Sequence, residues 1–275
     1  MNKTFDSYTS ELRTKYAITQ GTEMAEFHAH DHYEIKVCPK CHMTAIYNGE
    51  MVSTSKPCIT VYKPFTLHWE KHDSDTLYER YTLYFQESYL APFESTGFSL
   101  SSFDENGWIF EPDEQAVAHI VAYIRMLLEE PDKDVRQALL FAVLRLIYNE
   151  TVGKTAVHTS PAEQDYILNV MKQIGENIGH KQLAEELATR HFISVSKLRY
   201  DFKEFTHETL GDYIDFVRTV TAKRMLSDGV RVADVAEACG YTGANSFIRF
   251  FKEKTGVTPS KYAESVWQMR KNDAE

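Results

Sequence analysis

Apolar positions along the chain follow two different periods. From about Met24 to Phe85, polar residues alternate with apolar or aromatic ones in short runs. Examples are Thr44-Ala45-Ile46-Tyr47, Ile59-Thr60-Val61-Tyr62 and Tyr81-Thr82-Leu83-Tyr84-Phe85, separated by turn signals such as Asn48-Gly49. Period-two patterning predicts an antiparallel sandwich or barrel, with half of each strand pointing outward. Beyond it the spacing changes to three and four. Asp113 to Glu130 and Asp134 to Glu150 carry helical stripes, and Thr151 to Ala162, with Gly153, Ser160 and Pro161 but no period, reads as a linker.

Past the linker the helical pattern organises into two similar units. In the second, Val232, Val235, Ala236 and Cys239 line a short helix that Gly240 ends, and Tyr241 is placed to plug the crevice between helices. Phe247, Phe250 and Phe251 then form the inward face of a second helix, closed by Thr255 and Gly256. Its other face carries Asn245, Ser246, Ile248, Arg249 and Lys252, and Pro259 opens a final helix. Upstream, Leu183, Ala184, Leu187 and Ala188 line one helix, Ser194 is the N-cap of the next, and Leu198, Phe202 and Phe205 face inward. Ser196, Arg199, Tyr200 and Lys203 face out. One plan repeated at an offset of roughly 50 residues marks a duplication.

Leu210 to Ser227 reads as a single helix between the units, roughly 27 Å long at ~1.5 Å per residue. Successive major-groove faces of a duplex lie roughly 34 Å apart, so such a rod lets one chain offer helices to two adjacent grooves. Arg pairs with guanine, Asn with adenine and Lys with phosphate. The string from Ser194 through Phe202-Lys203, Arg218 and Ala222, then Gly240-Tyr241 to Phe251-Lys252, Gly256, Pro259 and Tyr262, resembles the AraC/XylS family of bacterial transcription regulators. The resemblance covers about Asp165 to Trp267. It implies that Ser196, Arg199 and Tyr200, with Asn245, Ser246, Ile248 and Arg249, contact bases. Two positions depart from the family pattern: His207 stands where the first unit usually has Gly, and Ala263 where the second commonly has Arg.

The 275 residues carry a formal charge of −10, an unusual balance for a nucleic-acid binder. Its distribution changes the picture. Up to residue 162 there are 14 basic and 23 acidic residues, a net −9; after it there are 16 and 17, a net −1. A near-neutral DNA-binding half works if its basic side chains gather on one face, with a modest counterion-release contribution. No apolar run is long enough to cross a bilayer, and the chain reads as cytoplasmic.

The N-terminal half carries further chemistry. His28-Ala29-His30-Asp31-His32-Tyr33-Glu34, followed by Pro57-Cys58 and Pro64-Phe65-Thr66-Leu67-His68, resembles the two motifs of the cupin barrel. On a strand His28, His30 and Glu34 share one face, and His68 completes a three-histidine, one-carboxylate set suited to a divalent metal. The alternative is a polar pocket without metal, and no cofactor is expected. Tyr33, Tyr47 and Trp69 join the histidines as effector-pocket candidates for a small polar ring compound, against a plain core role. Cys38 and Cys41 with His68 and His72 mimic a zinc-finger spacing, but the intervening residues read as strands. Cys41 and Cys58 stand where cupin motifs usually have glycine; redox switching and chance replacement are the two readings.

In the second linking helix Leu139, Leu140, Val143, Leu144 and Ile147 form a wide apolar surface, expected to zip against a second copy, with intrachain packing as the alternative. The expected chain is therefore an α+β multidomain protein: a cupin-like domain at 1–111, linking helices at 112–150, a linker at 151–162 and an all-α double helix-turn-helix at 163–275. The expected function is a non-enzymatic, sequence-specific regulator acting as a homodimer on double-stranded promoter DNA. It would answer a small-molecule effector, with RNA polymerase a further partner and no membrane involved. The alternative is a metal-binding cupin, sensor or enzyme, fused to a DNA-binding tail.

Overall fold

The computed structural model describes residues 5–6, 12–20, 27–98, 100–103, 108–152, 157 and 166–274. The chain divides into two compact units, one made of residues 6–47 and 51–160, the other of 161–275 with the short segments 1–5 and 48–50. The strands, in order, are β1 (Phe5–Asp6), β2 (Arg13–Gln20), β3 (Ala29–His30), β4 (Tyr33–Lys40), β5 (Met43–Tyr47), β6 (Glu50–Thr54), β7 (Cys58–Tyr62), β8 (His68–His72), β9 (Leu77–Phe85) and β10 (Ile109–Phe110). The helices are α1 (Glu114–Glu129), α2 (Lys133–Thr151), α3 (Tyr166–Glu176), α4 (Leu183–Arg190), α5 (Val195–Thr206), α6 (Leu210–Ser227), α7 (Val232–Ala238), α8 (Ala244–Thr255) and α9 (Pro259–Ala274). No helix among the described residues is long and apolar enough to cross a membrane.

The first unit holds a five-stranded sheet in the order β10-β7-β4-β9-β2 and a three-stranded one in the order β6-β5-β8. The pairs of known register are antiparallel, and Asn48 and Gly49 turn β5 into β6 with φ of 50° and 78°, as a tight hairpin needs. The expectation that half of each strand faces outward fails at the centre of the larger sheet. Tyr33 to Cys38 and all of β7 are buried on both faces. Ile35, Val37, Ile59, Val61, Leu83 and Phe85 pack against α1 and α2 in one apolar core, while the alternate residues meet the smaller sheet.

Both helices on that core are capped. Asp113 accepts a hydrogen bond from the Ala116 amide, and Asp132 accepts from Asp134 and Val135. Leu140, Val143, Leu144 and Ile147 of α2 are fully buried inside the chain, and Leu139 packs on the same core. The surface expected to meet a second copy is consumed by the chain's own sheet, which corrects the dimerisation reading of these five residues. Thr151 ends α2 and the rest of the expected linker lies mostly outside the described residues.

In the second unit α6 is the hub. Eleven of its 18 residues are buried, distributed around the helix because α3, α5, α7, α8 and α9 all pack on it. Lys223 is among them, its ammonium 5.6 Å from the centre of the Tyr262 ring. The two helix-turn-helix units meet backbone to backbone. Gly240 has φ +84°, and a Cβ there would lie 2.8 Å from the carbonyl oxygen of Gly179; a Cβ on Gly179 would lie 2.9 Å from that of Ala238. Arg218 reinforces the junction, donating to the His180 carbonyl at 3.2 Å with its guanidinium 5.8 Å from the Tyr241 ring centre.

The two units end alike. Thr206 and Thr255 each donate to a carbonyl four residues back at 2.7 Å, and the residue after each is left-handed. In the second unit it is Gly256, at φ +80°; in the first it is His207, at φ +58°, the strain expected of its departure from Gly. His207→Gly is expected to gain about 1 kcal/mol in denaturant unfolding. Gly240→Ala combines a left-handed penalty with a backbone clash and is expected to lose at least about 1–2 kcal/mol in the same measurement.

Candidate nucleic-acid interface and inter-sheet site

Each reading helix is built from the inside. In α5, Leu198 and Phe202 are fully buried, and in α8 Phe247 and Phe251 occupy the equivalent places. Ser194 starts α5 by accepting a hydrogen bond from the Lys197 amide at 3.1 Å. On the α3 side, Tyr166 donates to Asp201, which also takes an ion pair from Lys197 at 2.7 Å. Lys254 pairs with Asp215 at 2.8 Å and ties α8 to α6. These contacts fix which faces remain free.

Ser196, Arg199, Tyr200 and Lys203 of α5 are exposed, as are Asn245, Ser246, Arg249 and Lys252 of α8; Ile248 is half-buried. Tyr200 keeps 65% of its surface. Allowing for the offset that relates Thr206 to Thr255, Ser196 corresponds to Asn245, Tyr200 to Arg249 and Lys203 to Lys252. Among the described residues Arg199, Lys203, Arg249 and Lys252 have no ion-pair partner. Four cations are thus held outward with their donors unspent on the protein, the condition for pairing with phosphate or base edges.

Phe192 lies beside the expected interface and is not among its candidates. It sits in the turn before Ser194 with φ +55° and 97% of its surface exposed. A left-handed aromatic is strained and gains nothing from packing, and such residues cluster at functional sites. The only sequence signal is a bulky apolar residue in a turn where Gly or Asn would serve better.

The inward face between the two sheets of the first unit is polar, arranged in rungs. At one end His28, His30, Glu34 and His68 bring ligand-type atoms within 4.8 Å of one another. His28 and His68 are joined by a pair of backbone hydrogen bonds at 3.0 and 3.1 Å, and the His30 Nε2 lies 2.9 Å from the Glu34 Oε2. Burial, then the neighbouring His68, pushes the His28 imidazole down to about 2, and burial lowers His68 as well. Both rings are therefore neutral, with lone pairs to offer. The His68 Nε2 is buried without a hydrogen-bond partner, 3.4 Å from the Glu34 Oε2.

The next rung is ionic. The Lys36 ammonium lies 3.0 Å from the Glu34 Oε1 and 2.9 Å from the Glu70 Oε2, and the Tyr62 hydroxyl donates to Glu70 at 2.5 Å. Burial opposes ionisation of all three charged groups, but mutual attraction overcomes it. Both carboxyls are held well below their ordinary range and the ammonium well above. At the far end His72 stacks on Tyr78 at 3.4 Å, with Cys38, Cys41 and Cys58 beyond.

Two of the seven pocket candidates lie elsewhere. Tyr33 precedes the inward-facing Glu34 and stacks on Phe85 in the helix-side core; Trp69 follows the inward-facing His68 and stacks on Phe27. Strand alternation sends them away from the histidines. Tyr47 does reach inward, beside Tyr62 and Trp108. Lys36 and Glu70 are the residues not expected there. A cavity of about 690 Å³ opens on a different part of this unit, between α1 and the strand ends, with Lys40, Cys41, His42, Glu79, Glu114 and Arg125 in its wall.

Comparisons with known proteins bear on the helical unit. Residues 187–265 match a helix-turn-helix domain family. The regulatory protein SoxS of Escherichia coli K12 is 31% identical over 102 residues, which are 37% of this chain and 95% of SoxS. The transcriptional activator RhaS of Klebsiella pneumoniae strain 342 is 23% identical over 245 residues, 84% of this chain and 85% of its own. Among solved structures, ToxT from Vibrio cholerae O395 aligns over 93% of this chain and 98% of its own, at 12% identity and a TM-score of 0.34. The chain spans about half the length of other curated relatives that it matches, 47% and 45% for two of them.

The ionic rung gives a stability prediction. Lys36→Met leaves two buried carboxylates facing each other and is expected to lose about 3–5 kcal/mol in denaturant unfolding. Adding Glu70→Gln to that variant is expected to restore part of the loss, because one uncompensated charge is then removed.

Proposed function

Because this chain belongs to the AraC-type helix-turn-helix family, we propose that it is a one-component transcription regulator that reads double-stranded promoter DNA with α5 and α8. The observation that carries this reading is the set of four outward cations without internal partners, two on each helix with Lys203 and Lys252 at equivalent positions, on helices whose other faces are buried. Arg199 and Arg249 are assigned to guanine edges, Asn245 to adenine, and Lys203 and Lys252 to phosphate. The net −1 of residues 163–275 keeps the counterion-release gain small, so a second copy on an adjacent half-site adds the remaining affinity. RNA polymerase is the further partner at the promoter.

The β unit is assigned the sensing role in this reading, with a small molecule as the signal. Switching requires that molecule to favour one arrangement of the protein over another. A second reading, a divalent metal ion at His28, His30, Glu34 and His68, is favoured by the convergence of these donors and by the buried His68 Nε2, which makes no well-formed hydrogen bond and has the Glu34 Oε2 3.4 Å away. The donor set fits: the neutral imidazoles of His28 and His68 are ready ligands, and Lys36 occupies the Glu34 Oε1 but leaves Oε2 facing the histidines. A bound ion there would act as the sensed signal or as a structural clamp.

Two measurements test these readings. Arg249→Ala is expected to lose about 1–3 kcal/mol on the preferred duplex, and Lys252→Ala to weaken all duplexes evenly and lower the salt slope by about one. Unchanged affinity for every duplex in both variants would remove α8 from the interface. For the metal, elemental analysis after incubation with zinc, iron, manganese or nickel is expected to show one ion per chain, lost in His68→Ala. No retained ion in the wild-type chain returns the cluster to a metal-free polar pocket.

A further inference from the structure

Three thiols converge at the end of the inner face opposite the histidine cluster. Cys38 and Cys58 are directly opposed partners of β4 and β7, so their side chains share one face. The ladder between β4 and β9 shifts register between Val37 and Lys40, and the chain then brings Cys41 back onto Cys58, Sγ to Sγ 3.3 Å. Cys41 also donates to the Lys56 carbonyl at 3.1 Å, and Cys38 lies 4.0 Å from the Tyr78 hydroxyl. All are free thiols. Cys38 and Cys58 are sealed, but Cys41 is part of the wall of the 690 Å³ cavity, which provides the way in.

The surroundings select the chemistry. Around the sulfurs are Met43, Ala45, Val52 and Tyr78, with no cation to stabilise a thiolate among the groups that act on Cys58. Hydrogen bonding with Cys38 and Cys41, then burial, holds the Cys58 thiol well above its ordinary range. Peroxide-sensing cysteines need the opposite, a low-pKa exposed thiolate. A divalent cation on three thiolates would bury a net charge. What fits is an electrophile that takes up thiols and leaves a neutral product.

We propose that Cys41 and Cys58, with Cys38 closing the third side, form a binding site for trivalent arsenic oxyacids entering from the α1 cavity. Arsenous acid reacts with three thiols: three As–O bonds break, three As–S bonds form, and each thiol proton leaves with a hydroxide as water. No electrons are transferred and no charge is buried. A pyramidal centre with near-right-angle bonds of roughly 2.3 Å, about the zinc–thiolate length, holds its sulfurs roughly 3.3 Å apart. The Cys41–Cys58 pair already has that spacing. The site stands independently of the DNA-binding reading.

The test is titration of the reduced full-length chain with sodium arsenite, read by native mass spectrometry and by counting reactive thiols. The expected result is one arsenic per chain, a mass gain of one arsenic less three hydrogens, and three thiols lost. Cys41→Ser and Cys58→Ser are expected to abolish uptake, Cys38→Ser to weaken it about tenfold or more, and Cys239→Ser to leave it unchanged. No uptake by the wild-type chain, uptake undiminished in Cys58→Ser, or a chain two hydrogens lighter that takes up no arsenic each overturns the proposal. X-ray absorption at the arsenic edge of the wild-type complex tests it without a variant: three sulfur neighbours and no oxygen are expected, and fewer than two sulfurs overturns it.

Discussion

The relation between the two reading helices depends on a place where no side chain intervenes. Gly179 and Gly240 let the backbone before α4 touch the turn after α7, and an added Cβ on either would run into a carbonyl oxygen. Side-chain interfaces repack when disturbed; two backbones in contact have little freedom to do so. With Arg218 bridging His180 and Tyr241 over the same junction, and α6 buried on every side, the two helix-turn-helix units form a single packed body. The outward placement of Arg199 and Arg249 is meaningful only because of this rigidity.

In the β unit the corresponding role belongs to β4. One of its faces supplies Ile35 and Val37 to the helix-side core, while the other supplies Glu34, Lys36 and Cys38 to three successive rungs between the sheets. The strand is thus covered twice, once by apolar contact and once by charge. Lys36 is the piece that makes the second covering tenable, since it faces two buried carboxylates at once. The histidine cluster and the thiol cluster lie on either side of that ion cluster along the same strand direction, so one element carries both chemistries.

Much of the helical unit was legible because its signals are local. A Gly-Tyr turn, a serine cap and phenylalanines at helical spacing act through neighbours within a few residues, and α5, α6 and α8 emerge where those signals put them. Helix α3 was not anticipated; Ile167, Val170, Met171 and Ile174 have the right spacing but follow an aperiodic stretch without a turn motif. In the β unit, period-two spacing and the motif resemblance were enough to group His28, His30, Glu34 and His68. They could not reveal Lys36 and Glu70, because a charged residue in an alternating strand looks solvent-facing until a second sheet covers it. The same blindness to non-local partners made the apolar face of α2 resemble an interface between copies. The left-handed backbone at Phe192 is a property of the folded turn, and the sequence signals it only through a bulky apolar residue at a turn position.

The reading helices are secured at opposite ends. Helix α5 begins on a serine cap and ends on a strained histidine, whereas α8 begins at Gly243 with no side-chain cap and ends on an unstrained glycine. Bases are met mainly by the first turns of such helices. The first amides of α5 therefore have a side-chain acceptor in Ser194, while those of α8 have none from Gly243. In the proposed reading, the uncapped amides at the start of α8 are left to bond water or a phosphate oxygen, whereas α5 has already committed one of its own to Ser194.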